Sequence, residues 1–189
     1  MSKREIIEGL LDEIEQIQAK SPVRDEPVSR RTQRKADCPD GDVTAMKKII
    51  AWVNASDKSE RTIRDRLERD GFDPVEIDMA VAQAIDYGFI DDLRYAAVLI
   101  RSRLAQGKGE AGIRRELAAQ NIDIDEVPGW PEDFIESTDY EVDRALRYLE
   151  RHPSRSKNVR EGAFRKLVQK GYSVSVATTA ARVWSESAY

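Results

Sequence analysis

The sequence has little cysteine, histidine, glycine and proline. Its 189 residues include one cysteine, one histidine, 10 glycines and 7 prolines. The single cysteine, Cys38, cannot form an internal disulfide, and the single histidine, His152, excludes histidine-rich metal sites and most catalytic triads. Few glycines and prolines favour helices over a fold with many tight β-turns. Because no apolar run approaches roughly 18 residues and the first residues lack an apolar core, we expect a cytoplasmic protein without a membrane segment.

Charged residues are abundant and almost balanced in sign. They make up 35% of the chain, with 31 basic and 35 acidic residues and a net charge of −4, while 40% of residues are hydrophobic. This balance is too apolar for a fully disordered chain and too polar for a membrane protein. We therefore expect a helical, water-soluble protein that requires no metal or other cofactor and has no catalytic site.

The first 43 residues divide into two segments. Residues 1–20 are predicted to form an amphipathic helix, and residues 21–43, rich in proline and charge, are predicted to form a flexible linker. The basic run 30–35 is interpreted as solvated, with contact to a polyanion as the alternative. The predicted helix has apolar residues every three or four positions, namely Ile6, Ile7, Leu10, Leu11, Ile14 and Ile17.

From residue 44 onward the sequence repeats with an offset of 50. The leucines Leu67, Leu117 and Leu167 correspond, as do many of their neighbours. We expect an all-α fold of three tandem three-helix repeats that form an elongated curved array. The predicted repeats cover residues 44–90, 91–137 and 138–189.

A recurring turn separates the second helix (B) from the third helix (C) of each repeat. Gly71, Asn121 and Gly171 fit the left-handed position after a helix, and an Asp or Ser two residues later fits an N-cap. In the first repeat, Asp73 and Glu76 form a predicted capping box. The predicted helices are 44–54, 60–70 and 74–87; 91–107, 110–120 and a short or broken helix after 123; and 138–152, 158–170 and 173–184.

Several short features suggest chemistry but have simpler structural interpretations. Asp91 and Asp92 resemble a carboxylate pair for a metal or for acid–base chemistry, yet acidic residues also stabilise a helix start. Residues 107–109 faintly resemble a phosphate loop, but the spacing favours a turn between helices, whose Lys108 could meet a phosphate or an acidic partner. The three tryptophans are interpreted as core residues rather than as surfaces for stacking bases.

The predicted turn between helices B and C resembles a helix-turn-helix, in which the last helix reads DNA bases. Such a helix needs basic or amide side chains, whereas helix C of the first repeat contains Glu76, Asp78 and Asp86 and neither lysine nor arginine. Base-specific recognition by this helix is therefore not expected.

Basic residues concentrate in the third repeat, where 10 basic and 6 acidic residues give a charge of +4. Arg144, Arg147 and Arg151 are spaced to lie on one helix face, and arginines recur at matching positions of the second repeat. We interpret these residues as an interface for DNA or a protein partner, with an ordinary solvated face as the alternative. The candidate residues are Arg94, Arg101, Lys108, Arg114, Arg115, Arg144, Arg147, Arg151, Arg160 and Arg165.

Three segments resemble the bacterial RecX regulators of the RecA recombinase. They are an Asp-Asp helix start within residues 89–96, a Lys-Gly turn within 102–109 and an Ile-Arg-x-Glu-Leu segment at 113–117. The resemblance extends over roughly residues 44–187, and three tandem three-helix repeats are also the fold of that family. It implies a protein without catalytic residues that binds RecA–DNA filaments in the helical groove and limits ATP hydrolysis, strand exchange and the SOS response.

The resemblance also implies partners. They are the RecA filament and the single-stranded DNA within it, and the expected oligomeric state is a monomer that does not contact membranes. The alternative is a helical-repeat protein that binds DNA non-specifically without RecA. Capping of filament ends and coating of the groove remain equally open.

Overall fold

The computed structural model of the chain describes residues 44–135, 138–154 and 156–187, with residues 138–140 described by their backbone. Over these residues it contains eight α-helices, one short 3₁₀ helix and no strand, which confirms the all-α fold class. The predicted N-terminal helix 1–20, the linker 21–43 and Cys38 lie outside the described residues. The helices are α1 (Ala45–Ala55), α2 (Glu60–Arg69), α3 (Pro74–Asp86), α4 (Asp92–Ala105), α5 (Glu110–Ala118), η1 (Ile124–Glu126), α6 (Thr138–Arg151), α7 (Val159–Lys170) and α8 (Val174–Ser187).

The predicted helices from residue 44 onward are present, and their ends agree within a few residues. The helix predicted to be short or broken after Asp123 is the 3₁₀ helix η1, which spans only three residues. Pro128 and Pro131 follow it closely, and proline cannot donate the backbone hydrogen bonds that a longer helix needs. The helix order is consistent with three three-helix repeats, and the division at residues 90 and 137 stays a prediction.

The described chain divides into two compact units. The first contains residues 44–58 and 62–90, and the second contains residues 59–61 and everything from Asp91 onward. In the first unit, α1, α2 and α3 bury an apolar core around Ile49, Ile63, Leu67 and Val81. Each fully buried leucine or isoleucine side chain contributes about 2 kcal/mol through removal of apolar surface from water.

The second unit has two apolar clusters, one in each of its predicted repeats. Ile100, Ile113 and Leu117 are central to the first cluster, and Leu149 and Leu167 are central to the second. Trp52, Trp130 and Trp184 are half-buried and pack against the three cores of the molecule, as predicted.

The recurring turn has the predicted backbone geometry. Gly71, Asn121 and Gly171 have φ values of 85°, 62° and 95°, so each occupies the left-handed region after a helix. Asp73 caps α3 as expected, because its carboxylate accepts from the Val75 amide at 2.9 Å. The capping-box prediction for Glu76 is corrected, since its carboxylate accepts from the amide of Ala45 at the start of α1, at 3.4 Å.

No helix built from the described residues is both long and apolar enough to cross a membrane.

Candidate functional site

A close contact between backbones joins the two predicted repeats of the second unit. The amide of Gly112 in α5 donates to the carbonyl of Gly171 at 2.7 Å, and the Gly109 amide donates to Lys170 at 3.3 Å. A Cβ atom at Gly112 would lie 2.7 Å from the Gly171 Cα, and one at Gly109 would lie 2.4 Å from the Tyr172 Cα. Because real Cβ atoms do not approach so closely, glycine at these positions permits the contact. We call Gly109, Gly112 and Gly171 the glycine joint.

Two side chains from the third predicted repeat hold the turn at residues 107–109. Arg144 is only 6% exposed and donates to the Lys108 carbonyl at 2.5 Å. Tyr172 is buried, and its hydroxyl donates to the Gly107 carbonyl at 2.9 Å. Burial raises the pKa of Tyr172 to about 12, so the phenol remains a hydrogen-bond donor well above neutral pH. The turn that resembled a phosphate loop is therefore a docking segment between the second and third predicted repeats.

A cavity of about 230 Å³ lies beside this turn. Its walls come from the C-terminal end of α4 and from the last two turns of α6. Three guanidinium groups share the lining, and none of the described residues that line it carries a carboxylate. We call it the arginine cavity; its lining includes Gly107, Arg144, Arg147, Tyr148, Arg151 and His152.

The predicted arginine face is therefore divided by burial. Arg147 and Arg151 are exposed, whereas Arg144 lies within the protein and supports the 107–109 turn. Their spacing places all three on one side of α6, as the sequence indicated, but the docking of the turn covers the first of them. Arg144 is thus a structural member of the cluster, while Arg147 and Arg151 present charge to solvent.

The candidate arginines of α4 have local partners. Arg94 lies 3.4 Å from a carboxylate oxygen of Asp91, and the guanidinium of Arg101 lies 4.7 Å from the centre of the Phe134 ring. Neither lines the arginine cavity. The structure therefore does not bring these two residues together with the cluster on α6, and their role in binding stays a prediction.

The basic candidates around α5 form ion pairs or backbone contacts. Lys108 lies 2.5 Å from Glu116, and Arg114 lies 2.7 Å from Asp125. Arg115 is exposed and donates to the Ala111 carbonyl at 3.2 Å. These pairs reduce the net charge that Lys108 and Arg114 can offer to a partner.

On α7, the two remaining candidates lie apart from the arginine cavity. Arg165 is exposed, with its Nε 3.7 Å from Glu161, and Arg160 lines a separate groove with Asn158 and Phe164. Their part in binding also stays a prediction.

Glu116 is a structural residue that the sequence reasoning did not single out. Arg103 donates to both of its oxygens, at 2.6 Å and 3.0 Å, and Lys108 donates to it from the 107–109 turn. Hydrogen bonding to Arg103 lowers the pKa of Glu116 to about 2. The Glu of the Ile-Arg-x-Glu-Leu segment thus links α4, the turn and α5, and its fixed place in that segment was the available signal.

The Asp91–Asp92 pair forms a helix start, as the simpler interpretation held. Asp91 caps α4 by accepting from the Arg94 amide at 2.8 Å. Asp92 accepts at 2.8 Å from the amide of Glu60, which belongs to the same compact unit. Among the described residues there is no group of three His, Cys, Asp or Glu side chains that could hold a metal ion.

A second carboxylate repeats the arrangement of Asp92. Glu141 in α6 is buried and accepts from the Glu110 amide at the start of α5, at 2.8 Å. Burial raises the pKa of both Asp92 and Glu141. In both cases, a carboxylate near the start of one helix accepts from the backbone amide of a glutamate, 32 and 31 residues earlier in the chain respectively. Asp92 and Glu141 are 49 residues apart, one short of the repeat offset, so the repeat did not mark them as equivalent.

Comparison with known proteins gives one family match. The family model described as "RecX, second three-helix domain" matches residues 91–127, which include the 107–109 turn and Glu116. The "Regulatory protein RecX" of Listeria innocua is 26% identical over 140 residues, which is 72% of this chain and 52% of that protein. The protein of the same name from Vibrio vulnificus is 32% identical over 73 residues, 39% of this chain and 48% of that protein. The chain thus spans about half the length of the curated relatives it matches.

Two solved structures share the fold. The crystal structure of RecX from Lactobacillus salivarius has a TM-score of 0.59 at 17% identity and covers 75% of this chain and 95% of its own. A second crystal structure, of a regulatory protein RecX, has a TM-score of 0.55 at 19% identity; the match covers 70% of this chain and 67% of that one. The chain is thus similar to the RecX family over residues 91–127 and shares the fold of the solved RecX structures.

Proposed function

We propose that this protein regulates the RecA recombinase, binding RecA or RecA–DNA filaments and mainly inhibiting their recombinase and ATPase activities. Such inhibition restrains homologous recombination and the SOS response. The observation that carries the proposal is the match of residues 91–127 to the RecX family model. This segment contains the 107–109 turn and the end of α4, which form one wall of the arginine cavity. The role is that of a non-catalytic regulator that needs no cofactor.

The arginine cavity supplies the physical basis of binding. Arg147 and Arg151 present positive charge on a chain whose total charge is −4, so attraction to a polyanion is local to this part of the surface. A RecA–DNA filament carries phosphates and acidic side chains, and both are partners for guanidinium groups. Arg147 and Arg151 are the residues that we expect to contact the filament first.

An ATPase assay tests the proposal with the full chain. RecA on single-stranded DNA is titrated with the protein at substoichiometric ratios, and we expect ATP hydrolysis to fall. The double variant Arg147→Glu/Arg151→Glu should need roughly ten times more protein for the same inhibition, and raising the salt should weaken the wild type more than the variant. Arg144 is left intact because its replacement would disturb the 107–109 turn.

A charge-matched control separates the arginine cavity from general electrostatics. Lys157→Glu/Arg182→Glu makes the same change in net charge on exposed residues of the third predicted repeat, outside the cavity lining. This control should inhibit RecA as the wild type does. Equal inhibition by all three proteins would contradict the role of the arginine cavity.

The alternative function is non-specific DNA binding without RecA, and it gives a different result. Tight binding to naked DNA at physiological salt, together with an unchanged RecA ATPase rate, would support that alternative. The acidic total charge of the chain favours the RecA-directed role.

A further inference from the structure

The volume of the arginine cavity limits what it can hold. Pockets that enclose a complete small-molecule ligand generally measure about 300–1,000 Å³, whereas this cavity measures about 230 Å³. It has room for a phosphate group with part of its sugar, so a larger ligand must continue beyond the opening. A polymer with phosphates along its backbone fits this limit better than a free nucleoside triphosphate.

We infer that the arginine cavity is a one-nucleotide site for single-stranded nucleic acid, with a backbone phosphate on Arg147 and Arg151 and a neighbouring base on His152. This inference rests on the proposed function, because it assigns a ligand to the surface expected to meet the filament. The planar guanidinium fork is suited to phosphate oxygens. Arg144, held by the Lys108 carbonyl, adds a fixed positive charge behind the two exposed groups.

His152 supplies a flat surface beside these charges. It follows Arg151 directly, is exposed, and its ring centre lies 4.8 Å from that of Tyr148. Lys166 donates to the His152 and Pro153 carbonyls at 2.6 Å and 3.1 Å, which fixes the backbone that carries the imidazole. Tyr148 lies beside the ring, and His152 is exposed to solvent, so a partner can reach its imidazole.

The combination of charge and an exposed ring favours a single strand over other anions. Bases in a duplex are paired and stacked inside the helix, whereas those of a single strand can stack on an aromatic side chain. An acidic protein surface would use the guanidinium groups but would leave His152 without a role. Single-stranded DNA therefore gives a role both to the guanidinium groups and to His152.

Binding of labelled oligonucleotides to the full chain tests this site. Fluorescence anisotropy is measured with an oligothymidylate and with an abasic oligonucleotide of the same length, over a range of salt concentrations. Arg147→Glu/Arg151→Glu should weaken binding of both at least tenfold and reduce the salt slope by about 0.7, since the two arginines share one phosphate and each phosphate contact on a single strand contributes about 0.7. The Lys157→Glu/Arg182→Glu control should bind as the wild type does.

The His152→Ala variant distinguishes base stacking from charge. We expect roughly tenfold weaker binding of oligothymidylate and unchanged binding of the abasic oligonucleotide, because only the former has bases to stack. Equal affinities of wild type and His152→Ala for oligothymidylate, equal losses on both oligonucleotides, or no binding of single strands by the wild type would each overturn the inference. Arg147, Arg151 and His152 are all exposed, so we expect the variants to fold. Thermal unfolding monitored by circular dichroism verifies that they do.

Inhibition of RecA and binding of single-stranded DNA are measured separately, so the proposed function and the inferred site can fail independently. If Arg147→Glu/Arg151→Glu binds naked single strands normally but no longer inhibits RecA, the cavity contacts the RecA protein; the inference fails and the proposed function stands. If the wild type binds single strands as predicted but leaves RecA unaffected, the site stands and the proposed function fails.

Discussion

At the scale of single residues, Glu116 shows how a charged side chain can hold a turn in place. Its carboxylate accepts from Arg103 and Lys108, and its pKa is lowered from 4.5 to about 2. The folded state therefore binds fewer protons than the unfolded state between these pH values, and stability increases with pH across that window. The contribution is complete above about pH 4.5 and is lost as the pH falls to about 2.

Glu116→Gln should lower stability by about 1 kcal/mol at pH 6, a value reduced for solvent screening because the side chain is partly exposed. The difference between wild type and variant should shrink as the pH falls from 4.5 toward 2. Urea unfolding at several pH values measures it, with Glu150→Gln on the exposed side of α6 as the control. A difference that stays constant with pH would show that the ion pairs are not its source.

Residue-level prediction from the sequence succeeded where local backbone chemistry decides the outcome. The left-handed positions at Gly71, Asn121 and Gly171 followed from residue type alone. The burial of Arg144 could not be predicted in this way, because it depends on the docking of a turn 36 residues earlier in the chain. Helical spacing identifies a common face but not which part of that face another segment covers.

At the scale of helices and turns, the glycine joint determines how closely α5 approaches the turn after α7. Gly112→Ala should destabilise the second unit by about 2 kcal/mol, because the added Cβ would lie 2.7 Å from the Gly171 Cα. Helix propensity alone predicts the opposite, a gain of about 1 kcal/mol. Chemical denaturation measures the sign of the change in the free energy of unfolding. The matched control is Ala118→Gly at an exposed position of α5, which should cost about 1 kcal/mol. A stabilised Gly112→Ala variant would contradict the described contact.

At the same scale, the carboxylate of Glu141 in α6 caps the start of α5. Glu141→Ala removes the acceptor for the Glu110 amide and should cost about 1 kcal/mol. Glu141→Gln keeps an oxygen acceptor and, because burial raises the pKa of Glu141, should be at least as stable as the wild type at neutral pH. The wild type should gain stability relative to Glu141→Gln as the pH is lowered through the raised pKa. Thermal unfolding of both variants at pH 5 and pH 8 measures these effects, and equal losses in both would contradict the capping role.

The helix ends themselves were largely predictable, because caps, prolines and glycines act within a few residues. Asp73, Asp91 and Asp123 each cap the helix that follows, as the sequence indicated. Glu76 was predicted to complete its own capping box and instead meets the start of α1. A long side chain can reach a more distant partner, and the sequence does not reveal which partner packing brings near.

At the scale of the molecule, the offset of 50 predicted the order and type of the helices, and the family match agrees with it. The division into two compact units was not predicted, since a repeat in sequence does not determine which neighbouring repeats pack together. Within the second unit, the glycine joint, Arg144 and Tyr172 join two predicted repeats and place Arg147 and Arg151 beside one turn. The candidate site is thus a property of paired repeats rather than of one helix.

Co-sedimentation with RecA filaments, combined with the ATPase rate of the same samples, tests the central claim most directly. The full chain is mixed at substoichiometric ratios with RecA assembled on single-stranded DNA, and in parallel with the DNA alone. The account predicts that the protein pellets with the filaments, that ATP hydrolysis falls, and that Arg147→Glu/Arg151→Glu weakens both effects. Recovery of the protein on DNA alone, with RecA hydrolysing ATP at its normal rate, would contradict it.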